Sequence, residues 1–177
     1  PVEKVWYDVW KNIDNLTIRE QIAITTYVVN YIIPDFTPAY IVRGDAYFTN
    51  KDYIEALQDY TTAIEQQPNN AEIYYKRGLT YNYLKDFYPT AINDFKQATD
   101  LNNNIANFWA EYSYALKFSH YGADEMLAKA IAINPQYKNF NYNELEQQRT
   151  TIVYSSALEK ALFYIYRGNN FLADKYV

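Results

Sequence analysis

Two stretches of the chain, Tyr40-Ile-Val-Arg-Gly-Asp-Ala-Tyr47 and Tyr74-Tyr-Lys-Arg-Gly-Leu-Thr-Tyr81, begin 34 residues apart and decide how it folds. Both have an aromatic residue at each end and an Arg-Gly pair between them. Further along, Ala56-Leu-Gln-Asp-Tyr-Thr-Thr-Ala-Ile64 matches Ala91-Ile-Asn-Asp-Phe-Lys-Gln-Ala-Thr99 at an offset of 35 residues. No alternation typical of strands competes with this pattern. The sequence therefore contains an internal repeat of 34 to 35 residues, with one extra residue near Tyr88-Pro89.

The matched positions resemble the tetratricopeptide repeat, a helix–turn–helix unit of about 34 residues with large and small side chains at fixed places. Small residues let the two helices approach closely, and aromatic residues fill the space beside them. The resemblance implies an all-α solenoid of antiparallel helix pairs, wound as a right-handed superhelix with the first helices lining a concave face. The matching structural positions are Tyr40, Gly44, Tyr47, Ala56, Tyr60, Ala63 and Pro68, then Tyr74, Gly78, Tyr81, Ala91, Phe95 and Ala98, and finally Trp109, Ala123, Ala130 and Pro135.

The repeat frame divides the chain into one array over residues 1–177. We expect a degenerate N-terminal unit (3–36), two clear repeats (37–70 and 71–105), a divergent repeat (106–137) and a terminal part (138–177) made of a long helix and a partial unit. Thr17-x-x-Glu20 predicts a capping box at the start of a helix. Pro68 is expected to end a helix, and Asn69 or Asn70 to cap the next one.

Arginine and aspartate recur together in the two clear repeats. Arg43 and Asp59 occupy the same two places as Arg77 and Asp94, whereas the third repeat has neither. Because both members are lost together, we expect each pair to form a salt bridge between the two helices of one repeat.

Composition excludes several classes of function. The chain has 177 residues with no Cys, 4 Gly and a single histidine, His120. Disulfides, thiolate or multi-histidine metal sites, cysteine nucleophiles and glycine-rich phosphate loops are therefore not expected. We predict no cofactor, no metal and no enzymatic activity. With a net charge of −5 and dispersed basic residues, the chain also lacks the basic face of a nucleic-acid-binding protein.

The longest uncharged stretch, Gln21–Pro34, is too short for a transmembrane helix. The sequence starts at Pro1 and not at Met, which leaves open whether an export signal or a lipid anchor was removed from a precursor. We expect a soluble protein and favour the cytoplasm slightly over an exported location.

The family resemblance implies that first-helix residues form a peptide-binding groove, and that the partner is a protein or peptide. The expected groove residues are Phe48, Tyr75, Lys76, Leu79, Asn82, Tyr83, Asn107, Tyr114, Lys117 and Phe118, with Ile41, Asp45, Thr49, Glu72, Ala110, Glu111, Tyr7 and Lys11 beside them. For Tyr75 and Tyr114, packing against the next repeat is an equal alternative.

Some co-chaperones of this family clamp a C-terminal carboxylate in that groove. Here only Lys76 and Asn107 are plausible donors, and Asp45 and Glu111 would repel a carboxylate. We therefore expect an apolar peptide anchor instead. The alternative function is a structural or self-associating module of a larger assembly, and a hydrolase or ligand-binding helical bundle is a distant third.

Overall fold

The computed structural model describes residues 10–84, 88–117 and 122–148, and all regular elements in these ranges are helical. The predicted all-α class is therefore confirmed. The helices are α1 (Ile18–Tyr27, continued by a π-helical turn Val28–Ile32), α2 (Thr37–Asn50), α3 (Tyr53–Gln66), α4 (Ala71–Tyr83), α5 (Tyr88–Leu101), α6 (Ala106–Lys117), α7 (Ala123–Ile133) and α8 (Tyr142–Gln148). Short 3-10 turns cover Ile13–Asn15 and Pro135–Asn139.

Two helix starts follow the local sequence signals. The Glu20 backbone N–H donates to the Thr17 hydroxyl, and the Thr17 N–H donates to the Glu20 carboxylate at 2.9 Å, which completes the predicted capping box. At the start of α4, the Glu72 N–H donates to the Asn70 side chain at 3.1 Å. Both caps satisfy backbone donors that a helix leaves unpaired at its first turn.

The helices pack as successive pairs, α2 with α3, α4 with α5 and α6 with α7, and each pair contacts the next. One buried cluster joins Tyr60 and Ala63 of α3 to Ile73 of α4. The next joins Leu57 of α3 to Phe95 of α5. Since each cluster spans neighbouring pairs, the core runs along the array, which is the organisation of an α-solenoid.

The two matched glycines lie where paired helices come closest. A Cβ atom on Gly44 would stand 2.7 Å from the Tyr60 ring, and one on Gly78 would stand 3.1 Å from the Phe95 ring. The aromatic residue of the second helix therefore occupies the space that the glycine leaves.

The C-terminal prediction is only partly within the described residues. Within the terminal part (138–177), α8 begins at Tyr142, and Asn141 before it accepts hydrogen bonds from the Asn143 and Glu144 N–H groups. Residues 149–177, and with them the partial terminal unit, lie outside the described part of the chain.

Candidate functional site

Bidentate ion pairs fix the two clear helix pairs, as predicted. Arg43 donates from Nε and Nη2 to Asp59 at 2.8 and 2.7 Å, and Arg77 donates in the same way to Asp94 at 2.8 Å for both bonds. Burial raises the pKa of both aspartate carboxyls, while the neighbouring guanidinium opposes the shift. The guanidinium groups thus compensate two carboxylates that are almost completely shielded from water.

Each arginine also reaches back to the preceding helix pair, a contact that sequence reasoning missed. Arg43 Nη1 donates to the Thr26 hydroxyl and Arg77 Nη1 to the Thr61 hydroxyl, both at 3.2 Å. One repeat later, the place of Thr26 and Thr61 is taken by Lys96, whose positive charge would repel an arginine at the place of Arg43 and Arg77. That place holds Tyr112 instead. The recurrence of threonine at one repeat length was the available signal.

A polar contact joins α2 and α4, the first helices of two successive pairs. Lys76 Nζ lies 2.8 and 2.9 Å from the two carboxylate oxygens of Asp45, which also accepts a hydrogen bond from the Tyr60 hydroxyl at 2.7 Å. Asp45 keeps 42% of its side chain exposed. The charge of Lys76 is therefore neutralised at a surface that remains open to solvent.

A second contact joins α4 to α6 and to the turn after α7. The amide of Asn107 donates to the Tyr75 hydroxyl, and its oxygen accepts from the Tyr137 hydroxyl at 3.0 Å. The Tyr75 ring stacks on Phe108 with centroids 4.7 Å apart. Tyr75 thus packs against the following helix pair while one edge stays partly exposed.

Aromatic rings of α2, α3 and α4 contact one another. Phe48 and Tyr83 meet edge to face with centroids 5.1 Å apart, and Tyr53 lies 5.5 Å from Tyr83. Leu79 packs beside them and is partly buried. These side chains hold two helix pairs together, and Phe48, Leu79 and Tyr83 stay partly exposed whereas Tyr53 is buried.

Other expected groove residues are not accessible. Asn82 and Tyr114 have no solvent exposure. Asn82 donates to the Glu111 carboxylate at 3.1 Å, and Tyr114 donates to Glu146 of α8. Because successive first helices lie so close, these polar groups pair with the next helix instead of facing a ligand.

Two further candidates, Lys117 and Lys11, are lysines with exposed side chains. Lys117 is exposed, with its Nζ 5.5 Å from the centre of the Tyr142 ring. Lys11 is also exposed, whereas Phe118, Tyr7 and His120 fall outside the described residues.

Within the described ranges, no helix is long and apolar enough to cross a membrane. The same residues contain no group of three or more His, Cys, Asp or Glu side chains placed to hold a metal ion.

Sequence comparison finds the same repeat. Residues 44–82 match a family model described as TPR repeat. A 63-residue stretch is 40% identical to mouse DnaJ homolog subfamily C member 7, covering 36% of this chain and 13% of the relative. A 72-residue stretch is 32% identical to mouse Superkiller complex protein 3, covering 41% of this chain and 4% of the relative. The match thus spans only a small part of each relative's length.

Solved structures share the fold over more of the chain. MamA from Desulfovibrio magneticus RS-1 superposes with a TM-score of 0.69 at 12% identity, covering 98% of this chain and 89% of that one. YrrB, described as a TPR protein with an unusual peptide-binding site, superposes with a TM-score of 0.63 at 16% identity, covering 90% of this chain and 74% of that one. The first TPR of Spaghetti (RPAP3), bound to the HSP90 peptide SRMEEVD, superposes with a TM-score of 0.53 at 23% identity, covering 63% of this chain and 88% of that one. At these identities the likeness establishes the fold alone.

Proposed function

We propose that this chain, which matches a tetratricopeptide repeat model over residues 44–82 and folds like solved proteins of that kind, is a non-enzymatic scaffold that binds a peptide or protein segment along its concave face. The observation that carries the proposal is the preorganisation of that face. Lys76 is fixed by Asp45, and Tyr75 by Asn107, before any ligand arrives. A surface held in this way loses little side-chain freedom on binding. Two structural neighbours, YrrB and RPAP3, are described as peptide-binding proteins, which supports the same class of ligand.

The ligand we propose is not an acidic peptide such as the SRMEEVD peptide bound to RPAP3. The two candidate donors for a carboxylate clamp are both engaged, Lys76 with Asp45 and Asn107 with Tyr75 and Tyr137. Releasing Lys76 would leave the Asp45 carboxylate facing the incoming carboxylate. The accessible edges of Phe48, Leu79 and Tyr83 favour an apolar anchor.

The test is selection of binders from a displayed library of random short peptides, followed by fluorescence anisotropy with the selected peptides. Thr49 and Lys117 are exposed on α2 and α6, and the double variant Thr49→Arg/Lys117→Glu should weaken binding by about tenfold or more by altering both ends of the groove. A matched control is Asn93→Arg/Lys96→Glu, which makes the same charge changes at exposed positions of the second helix α5. Equal affinity of both variants for every selected peptide, or a library without binders, would contradict the proposal.

Self-association is the second candidate, favoured by an apolar patch at the N-terminal end. Tyr27 and Tyr31 are 58% and 74% exposed and lie with ring centroids 5.4 Å apart, near exposed Ile33. Sedimentation over a concentration series tests it: a mass that rises with concentration in the wild type but not in Tyr31→Ser supports this role, and a constant monomer mass rejects it.

A further inference from the structure

Beside the concave groove, at the edge where the helix pairs are connected, the array has an open cleft of about 840 Å³. Its two sides are the turn from α3 to α4 and the equivalent turn from α5 to α6. Tyr75 and Phe108 form an apolar wall, and Ile105 of the second turn borders it. The volume is in the range of ordinary ligand sites.

Ile105 is the residue of this cleft that local structure does not explain. It directly precedes α6, at the place where Asn70 caps α4 one repeat earlier. Isoleucine cannot cap a helix and is among the poorest residues at this position. It also leaves 38% of its surface exposed. A residue that costs helix stability and exposes apolar surface is explained if a ligand covers it.

The polar groups on the rim suit a peptide backbone. Gln67, Asn69 and Asn102 border the cleft. Gln67 and Asn102 each use their carbonyl oxygen in a turn, with the Asn70 amide at 3.3 Å and the Asn104 N–H at 3.1 Å. Their NH₂ groups point to no partner among the described residues, and carboxamides can pair with the C=O and N–H groups of an extended chain.

The charge of the cleft indicates which side chains its ligand carries. Of the residues that line the cleft in the described ranges, Glu72 alone is charged, and 69% of its side chain is exposed. The nearest cation, Lys76, lies 3.6 Å from Glu72 but binds Asp45 more closely, at 2.8 Å. A lysine or arginine of the ligand would therefore find an exposed carboxylate whose own cationic partner, Lys76, lies closer to Asp45 than to Glu72.

We propose that this cleft binds an extended peptide segment that places an apolar side chain against Ile105, Tyr75 and Phe108 and a neighbouring lysine or arginine beside Glu72. The cleft extends the peptide site beyond the concave groove and sets its preference for sequence. The inference rests on the proposed function in taking a peptide as the ligand, but it involves a different set of contacts.

The decisive variant is Ile105→Asn, which removes the apolar contact and restores the cap that Asn70 provides in the previous repeat. It should unfold at the same or a higher urea concentration than the wild type. Peptides selected from the random library should contain an apolar residue next to lysine or arginine, and Ile105→Asn should weaken their binding by about tenfold or more. If the urea midpoint of the variant is equal to or above that of the wild type, such a loss does not come from unfolding.

A second variant, Glu72→Lys, tests the charge. Replacing the lysine or arginine of a selected peptide by glutamate should weaken binding to the wild type and strengthen binding to Glu72→Lys. If the selected peptides bind Ile105→Asn as tightly as the wild type but no longer bind Thr49→Arg/Lys117→Glu, the proposed cleft is wrong and the proposed groove stands. The opposite pattern would keep the cleft and overturn the groove, and a library without binders would overturn both.

Discussion

Gly44 and Gly78 occupy the same place in successive repeats but leave different amounts of room. A Cβ atom at Gly44 would meet the ring of Tyr60 at 2.7 Å, a distance that the buried ring cannot widen without moving its neighbours. At Gly78 the nearest atoms, from Phe95 and Asp94, would stand 3.1 and 3.2 Å away. The hydroxyl of Tyr60 is tied to Asp45, so its ring is the less free of the two.

We therefore predict that Gly44→Ala lowers the free energy of unfolding by about 1–2 kcal/mol, because an overpacking cost of roughly 1–3 kcal/mol exceeds the helix propensity that alanine gains. Gly78→Ala should cost less. Urea unfolding followed by circular dichroism measures both, with Asn93→Ala on the exposed side of α5 as the control for propensity alone. A larger loss for Gly78→Ala than for Gly44→Ala would contradict this account of the close approach.

Between elements, Arg43 connects three helices: its own α2, α3 through Asp59, and the end of α1 through Thr26. We expect Arg43→Met to destabilise the protein by about 3–5 kcal/mol, since it leaves a buried carboxylate without its partner. Asp59→Leu in the same chain should restore part of that loss. A double-mutant cycle by urea unfolding gives the coupling, and Arg77 with Asp94 should show a similar value.

The exposed Lys96–Asp100 pair of α5 provides the control for this cycle. Its two atoms are as close, at 2.7 Å, but both side chains are more than half exposed. It should therefore show no measurable coupling. Equal coupling in the two cycles would show that burial is not what makes the arginine pair strong.

The same elements show how far the sequence can be interpreted. Arg43 and Asp59 were predictable as a pair because both recur together in the next repeat and disappear together in the third. The contact of Thr26 was missed although threonine recurs one repeat later at Thr61, because a hydroxyl on a helix is too common to suggest a particular partner. Asn82 and Tyr114 were expected in the groove, because the position of a residue in the repeat predicts only the side of the helix on which its side chain lies. Whether a side chain meets solvent or the next helix depends on the distance between helices, which the frame does not contain.

At the scale of the whole molecule, the 21 tyrosines make stability depend on pH in the alkaline range. Burial raises the pKa of several hydroxyls above the ordinary value: Tyr47, Tyr53, Tyr60, Tyr112, Tyr137 and Tyr142. In the unfolded chain these groups ionise near pH 10, as ordinary tyrosines do. Above that pH the folded protein therefore holds protons that the unfolded chain has released, so stability is complete below about pH 10 and falls as pH rises further.

We predict that the urea midpoint is nearly constant from about pH 7 to 9 and decreases steeply between about pH 10 and 11. Tyr60→Phe is the matched variant, because Phe95 fills the same place in the next repeat. At neutral pH the variant should be less stable than the wild type, because it lacks the 2.7 Å hydrogen bond to Asp45. Between about pH 10 and 11, its free energy of unfolding should decrease by about 1 kcal/mol less than that of the wild type. Lysines also titrate in this range, and they contribute equally to both proteins, so the difference in slope isolates Tyr60. Parallel pH profiles for the two proteins would mean that the Tyr60 hydroxyl ionises as readily in the folded array as in the unfolded chain, which its burial between α2 and α3 does not allow.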